Sequence, residues 1–160
     1  NLEGRVAYAE WLELQAGFTW QQSRYKEAEY WSEDSTVAPS KRMFRTPDSY
    51  GYMTLMLKPT KRFDIDLTGN YTGSMLVQHY AGSGTPTDVA VETPSFFDFN
   101  LRLAYTVALF RDVEMELSGG LKNIFNAYQD DFDTGAERDS GYVYGPLMPR
   151  SWFLGVKFRF

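Results

Sequence analysis

The last ten residues, SWFLGVKFRF (151–160), alternate between two kinds of side chain. Every second position carries a large apolar residue: Trp152, Leu154, Val156, Phe158 and Phe160. The positions between them are mostly small or basic. Because successive side chains of a strand point to opposite faces, this spacing predicts a β-strand with one apolar and one mostly polar face. A large aromatic residue at the terminus itself is unusual for a packed core, because chain ends usually fray.

The same alternation recurs along the chain and predicts an all-β protein, while helical periodicity is scarce. We predict seven strands: 2–9, 11–25, 50–58, 63–77, 96–106, 113–125 and 151–160. Their connections alternate between short turns and long polar stretches, the long ones lying at about residues 25–48, 78–95 and 126–149. This order predicts an antiparallel meander that gathers all long connections at one end.

Composition excludes several classes of protein. The 160 residues carry a net charge of -5, so no basic field exists to attract nucleic acid. The absence of cysteine excludes disulfides and thiolate metal sites. Mean hydropathy is -0.42, and no stretch approaches the roughly 20 apolar residues of a membrane helix. That average does not exclude a transmembrane barrel, in which apolar and polar residues alternate.

The two faces of the predicted strands favour a membrane barrel. One face carries apolar residues without charge, as lipid requires, and the other carries the mixed charges that a wet lumen accepts. Trp11 and Trp152 lie near strand ends, where amphipathic rings prefer the headgroup layer. Two alternatives remain: a small passive or structural outer-membrane barrel of about eight strands, and a soluble ligand-binding barrel with an apolar interior.

Two stretches carry a resemblance to a known family. GLKNIFNAYQDDFD (120–133) is similar to the penultimate strand and following loop of TonB-dependent outer-membrane receptors, with an Asn-aliphatic-Phe core at 123–125 and a tyrosine at Tyr128. YVYGPLMPRSWFLGVKFRF (142–160) resembles the last strand of that family, which begins with a Pro-Arg pair, here Pro149 and Arg150. The short spacing between Phe125 and Tyr128 departs from many members.

The resemblance implies the last seven strands of a 22-stranded barrel that encloses an amino-terminal plug. Residues 1–160 would be the carboxyl-terminal portion, with the plug and earlier strands upstream, because seven open strands leave unpaired edges in lipid. The implied function is active import of a ferric siderophore, haem or cobalamin, or a glycan. The implied partners are outer-membrane lipid, the rest of the receptor, TonB, the barrel assembly machinery and a surface lipoprotein of a Gram-negative cell.

Several residues are candidates for specific roles. The candidate ligand contacts in the long connections are Tyr30, Trp31, His79 and Tyr80, for which ordinary loop or interface positions are the alternative. Asp130, Asp131 and Asp133 offer oxygen ligands for a cation, although a solvated acidic loop fits the same spacing. The alternating apolar residues from Trp152 to Phe160 would form the assembly signal that the resemblance implies.

A ladder of charges is predicted on the lumen face. Its members are Asp66, Arg102, Glu114, Glu116, Lys157 and Arg159. A short turn centred near residue 109 would set Arg102 across from about Glu116, with Lys157 or Arg159 completing the ladder. We predict no enzyme, because the only histidine has no evident nucleophile beside it, and no resident cofactor.

Overall fold

The computed structural model describes residues 1–160 as eleven β-strands. In chain order the strands are β1 (Leu2–Tyr8), β2 (Leu12–Trp20), β3 (Arg24–Glu29), β4 (Ser40–Arg42), β5 (Ser49–Thr60), β6 (Phe63–Thr72), β7 (Leu76–His79), β8 (Val89–Glu92), β9 (Phe96–Phe110), β10 (Val113–Lys122) and β11 (Ser151–Arg159). The structure contains no helix with the length and apolarity needed to cross a membrane.

Seven of these strands form one antiparallel sheet in the order β1-β2-β5-β6-β9-β10-β11. Each strand pairs with its neighbour along the meander, and the sheet is not closed. The all-β fold and the seven-stranded meander predicted from the alternation are confirmed. The short connections lie at one end of the sheet and the long connections at the other, because consecutive strands are antiparallel.

Strand ends are where the sequence prediction was wrong. The predicted strand 63–77 breaks at Gly73, whose amide donates to the carbonyl of Ser49, 2.8 Å away. A Cβ on Gly73 would lie 2.5 Å from the Ser49 hydroxyl, so the close approach requires glycine. Residues 76–79 pair with β8 instead, and β3 pairs with β4 in the first long connection. Two long connections therefore contain small hairpins.

The turn between β9 and β10 lies further along the chain than predicted. β9 continues to Phe110, so the turn is Arg111–Asp112 and not centred near residue 109. Arg102 is consequently opposite Gly120 in the register, where the sequence analysis had placed Glu116. Residues 107–110 are all apolar, and the chain turns only at the charged pair that follows them, which explains the displaced turn.

The apolar face of the sheet is the exposed one. Trp152 is 75% exposed, Leu154 80% and Phe160 95%, whereas their polar-face neighbours Phe153 and Gly155 are partly covered. Only 12 of the 160 residues are buried, far fewer than a soluble domain of this length requires. The small core consists of Met75, Val77 and Tyr142, and it lies among the long connections and outside the sheet.

Candidate functional site

The three long connections (residues 21–48, 73–95 and 123–150) meet in one body, which we call the loop cluster. Its core joins Met75 and Val77 from the second connection to Tyr142 from the third. The Arg45 guanidinium of the first connection donates to the carbonyls of Val143 (2.9 Å) and Gly141. The connections are thus ordered by contacts with one another, although their sequences are polar.

His79 lies inside the loop cluster and not on its surface. The residue is 8% exposed, and its ring stacks on that of Tyr142 with a centroid separation of 3.8 Å. Nε2 lies 2.9 Å from Oδ1 of Asp133, so the ring N–H donates to an acceptor-only carboxylate. The ring is therefore engaged in joining the second and third connections, and in this arrangement it is not available as the ligand contact expected from the sequence.

The acidic residues of the third connection serve as hydrogen-bond acceptors. Asp131 accepts from the hydroxyls of Tyr142 (2.9 Å) and Tyr144 (2.8 Å). Asp133 accepts from the Asp139 amide, and this bond, with that from His79, lowers the pKa of Asp133. No group of three or more potential ligands is arranged to hold a metal ion. In this arrangement neighbouring donors occupy two of the three carboxylates of the cation site expected at Asp130, Asp131 and Asp133, which stays a prediction.

Asn123 is a structural centre, a role that is not predicted from the sequence. Its backbone has a φ of +50°, which ends β10, and the residue is 4% exposed. Nδ2 donates to the carbonyls of Ala127 (3.1 Å) and Met148 (2.9 Å), and Oδ1 accepts from the Ala127 amide. Asparagine tolerates this backbone region better than most residues. The pattern Asn-Ile-Phe at 123–125 is a sequence signal for this corner.

Gln129 is a second buried polar residue of the third connection that was missed. It is 1% exposed, Nε2 donates to the Tyr142 carbonyl, and Oε1 accepts from the Tyr144 amide at 2.8 Å. These bonds satisfy a side chain that would otherwise be costly to bury. No local sequence pattern indicates them, because the partners are 13 and 15 residues away.

An aromatic groove lies between the first and second connections. Trp31 contacts Tyr80 with ring centroids 6.3 Å apart, and the Tyr80 hydroxyl donates to the Trp31 carbonyl at 3.4 Å. Phe44 also packs against Trp31, with ring centroids 5.1 Å apart, while Tyr30 is 73% exposed. The structure thus brings three of the four expected ligand residues together in the groove and places His79 elsewhere.

A chain of ion pairs crosses the polar face of the sheet. Arg102 on β9 lies 2.7 Å from Asp66 on β6 and 2.6 Å from Glu116 on β10. Glu116 also pairs with Arg159 on β11, at 2.8 Å. The chain therefore connects four neighbouring strands through alternating charges. Arg102 reaches Glu116 diagonally, since the small residue Ala104 lies between them on the same face.

Glu114 and Lys157 share the face of this ladder but form no ion pair within it. Lys157 is the register partner of Glu116, and Glu114 is the register partner of Arg159. Arg159 nevertheless reaches past its own partner to Glu116. The ladder thus uses Arg159, one of the two terminal bases considered in the sequence analysis.

Comparisons with known proteins were made by sequence and by structure. No protein-family model matches the chain, and no curated relative matches it. The crystal structure of the ferric-catecholate import receptor Fiu from E. coli K12, in its closed form, matches 94% of the chain with a TM-score of 0.61 and 22% identity. The match covers 19% of that receptor.

Two structures of the ferric enterobactin receptor PfeA from Pseudomonas aeruginosa match 98% of the chain. One is a single-residue variant, with a TM-score of 0.58, and the other is a complex with BCV-L6, with a TM-score of 0.57. Each is 15% identical to the chain, which covers 21% of its length. The chain thus spans about a fifth of the length of the receptors that it matches, and its fold is that of a segment of their β-barrel.

Proposed function

We propose that residues 1–160 are the carboxyl-terminal part of the barrel of an outer-membrane importer for a ferric siderophore in a Gram-negative bacterium. One observation carries the proposal: the sheet exposes an apolar face, carries a charged ladder on the other, and gathers its long connections at one end. The likeness to ferric-chelate receptors supports this reading at the level of the fold.

The two faces of the sheet have separate roles in this proposal. Side chains such as Trp152 and Leu154 contact lipid, because their exposure to water would otherwise be unfavourable. The ladder from Asp66 to Arg159 faces the lumen, where it sets the register, since a one-residue slip would turn its charges into the membrane. A charged lumen wall suits a barrel that encloses a plug and water.

The remaining strands and the plug complete the importer. Both outer strands of the sheet, β1 and β11, have one edge without a partner, and in lipid such edges need further strands of the same barrel. The plug and its coupling to TonB would then supply directed transport. The loop cluster would form part of the outer vestibule, where Tyr30, Trp31 and Tyr80 contact the ligand.

Iron uptake tests this function in the intact receptor. We would express it in a strain that lacks its own ferric-siderophore receptors and measure uptake of radioactive iron from a panel of ferric chelates. We expect uptake that requires both the receptor and TonB. Uptake that persists without TonB would indicate a passive barrel, and an intact mass near 18.4 kDa in extracted outer membranes would do the same. An assembled receptor that raises uptake of no chelate would contradict the proposal.

A further inference from the structure

The aromatic groove has acidic as well as aromatic walls. Tyr30, Trp31 and Tyr80 line it together with the carboxylates of Glu33 and Asp88, and Ser32 completes the lining. No basic side chain lines the groove. Aromatic faces attract cations through their quadrupole, and carboxylates attract them by charge. Both kinds of side chain therefore favour a positively charged ligand.

The two carboxylates are not neutralised within the protein. Glu33 is exposed and forms no ion pair within 4 Å. Asp88 accepts hydrogen bonds from the Ser32 hydroxyl (2.5 Å) and the Ala81 amide (2.7 Å). Both donors are uncharged, so they position the Asp88 carboxylate without cancelling its charge. The groove consequently keeps two negative charges beside its aromatic rings.

Two arginines of the first connection are engaged by partners outside the groove lining. Arg42 is paired with Asp48 and Glu92, and Arg45 donates to carbonyls of the third connection. The loop cluster as a whole carries seven basic and twelve acidic side chains, whereas the rest of the chain carries nine of each. The net charge of -5 therefore belongs entirely to the end of the sheet that holds the groove.

We infer that the groove binds a positively charged group of the ligand, such as an ammonium on a ferric chelate that is otherwise neutral. This inference rests on the proposed function and narrows its substrate class. A ferric tris-catecholate is strongly anionic, because three doubly deprotonated catechols surround the metal. Such a ligand would meet like charge at Glu33 and Asp88. This part of the vestibule is thus suited to a positively charged group and not to an anionic ferric catecholate.

Binding of two matched chelates tests the inference. One probe is a linear ferric trihydroxamate with a free terminal ammonium, and the other is the same chelate with that amine acetylated. The two differ in one positive charge at one end. Titrations of intrinsic fluorescence of the intact receptor in detergent give both dissociation constants, with a ferric tris-catecholate as a third ligand. We expect about tenfold tighter binding of the ammonium form, from its contacts with the rings and carboxylates.

Two variants show whether the preference for the ammonium form comes from the groove or from the overall negative charge of the loop cluster. Glu33→Gln should reduce the preference for the ammonium form, because it removes one of the two groove charges, and it should fold normally because Glu33 makes no ion pair. Glu137→Gln removes the same charge from the third connection, outside the groove lining, and should leave the preference intact.

The outcomes distinguish this inference from the proposed function. Any one of three results would overturn the charge inference and leave an importer of ferric chelates standing. These are equal affinity for the two trihydroxamates, tighter binding of the tris-catecholate than of the ammonium form, and an unchanged preference in Glu33→Gln. A receptor that binds none of the three ligands would overturn both.

Discussion

Replacing Glu116 by glutamine should weaken the barrel, because this side chain is the centre of the ladder. Its carboxylate is 10% exposed and accepts from Arg102 at 2.6 Å and from Arg159 at 2.8 Å. The amide of glutamine keeps the shape and one acceptor but loses the charge. Its NH₂ group would also face one of two guanidinium groups, neither of which accepts hydrogen bonds.

The two lost interactions differ in size. Losing the bond from Arg102 should lower the free energy of unfolding by about 1–1.5 kcal/mol, at or below the low end for a charged hydrogen bond. The loss is small because the Arg102 side chain is 35% exposed and keeps Asp66 as a second partner. The bond from Arg159 should lose about 0.5 kcal/mol, as for a solvent-screened pair, because that side chain is 52% exposed. Together these losses predict a decrease of about 2 kcal/mol in the free energy of unfolding.

Guanidinium unfolding of the intact receptor in lipid vesicles measures this loss. Glu114→Gln is the matched control, since Glu114 lies on the same strand and face but forms no ion pair, and it should change stability by less than about 0.5 kcal/mol. Combining Glu116→Gln with Arg159→Gln should cost less than the sum of the two single changes. Equal effects of Glu116→Gln and Glu114→Gln would refute the reasoning.

Three further predictions concern the corner, the terminus and the loop cluster. Asn123→Ala should cost about 3 kcal/mol through lost buried hydrogen bonds and a φ of +50°; Asn123→Gly should cost less, and equal costs in denaturant unfolding would contradict the role of backbone strain. Deleting Phe160, which is 95% exposed, should lower the yield of assembled barrel in a pulse-chase experiment more than it lowers stability; an unchanged yield would count against an assembly signal. Burial and the bond to Asp131 raise the pKa of Tyr142 to about 12, so the stabilisation is complete below pH 10.0 and is lost as the pH rises through 12; in alkaline absorbance titrations, Tyr142→Phe should remove one tyrosine from the group that ionises at high pH. A high-pH phase of unchanged amplitude in Tyr142→Phe would refute this.

The meander could be predicted from the sequence because alternation is a local property. The face and approximate extent of β11 follow from residues 151–160 alone. The same reasoning extends the preceding strand to residue 77, because Met75 and Val77 continue its alternation, whereas Leu76 and Val77 belong to β7. The break at Gly73 depends on a close approach to Ser49, a residue 24 positions earlier, and no local pattern indicates such a contact.

In the ladder and the loop cluster too, contacts set by strand order could be predicted, whereas contacts between distant residues could not. Arg102 and Asp66 are direct register partners, so their pairing follows from strand order. The choice of Arg159 over Lys157 depends on a diagonal reach that parity alone does not determine. The burial of His79 depends on Asp133 and Tyr142, which are more than 50 residues away in the sequence. Such contacts between long connections leave no periodic signal.

Accessibility of single cysteines on whole cells tests the membrane barrel most directly. The chain contains no cysteine, so in an otherwise cysteine-free receptor each substitution introduces one reactive site. Ser35→Cys and Thr134→Cys probe two exposed positions of long connections, and Lys61→Cys probes a short turn at the opposite end of the sheet. An impermeant maleimide should label the first two on intact cells and label Lys61→Cys only after the outer membrane is opened. Labelling of Lys61→Cys on intact cells, or exclusion of either loop site, would contradict a barrel that spans the outer membrane in this orientation.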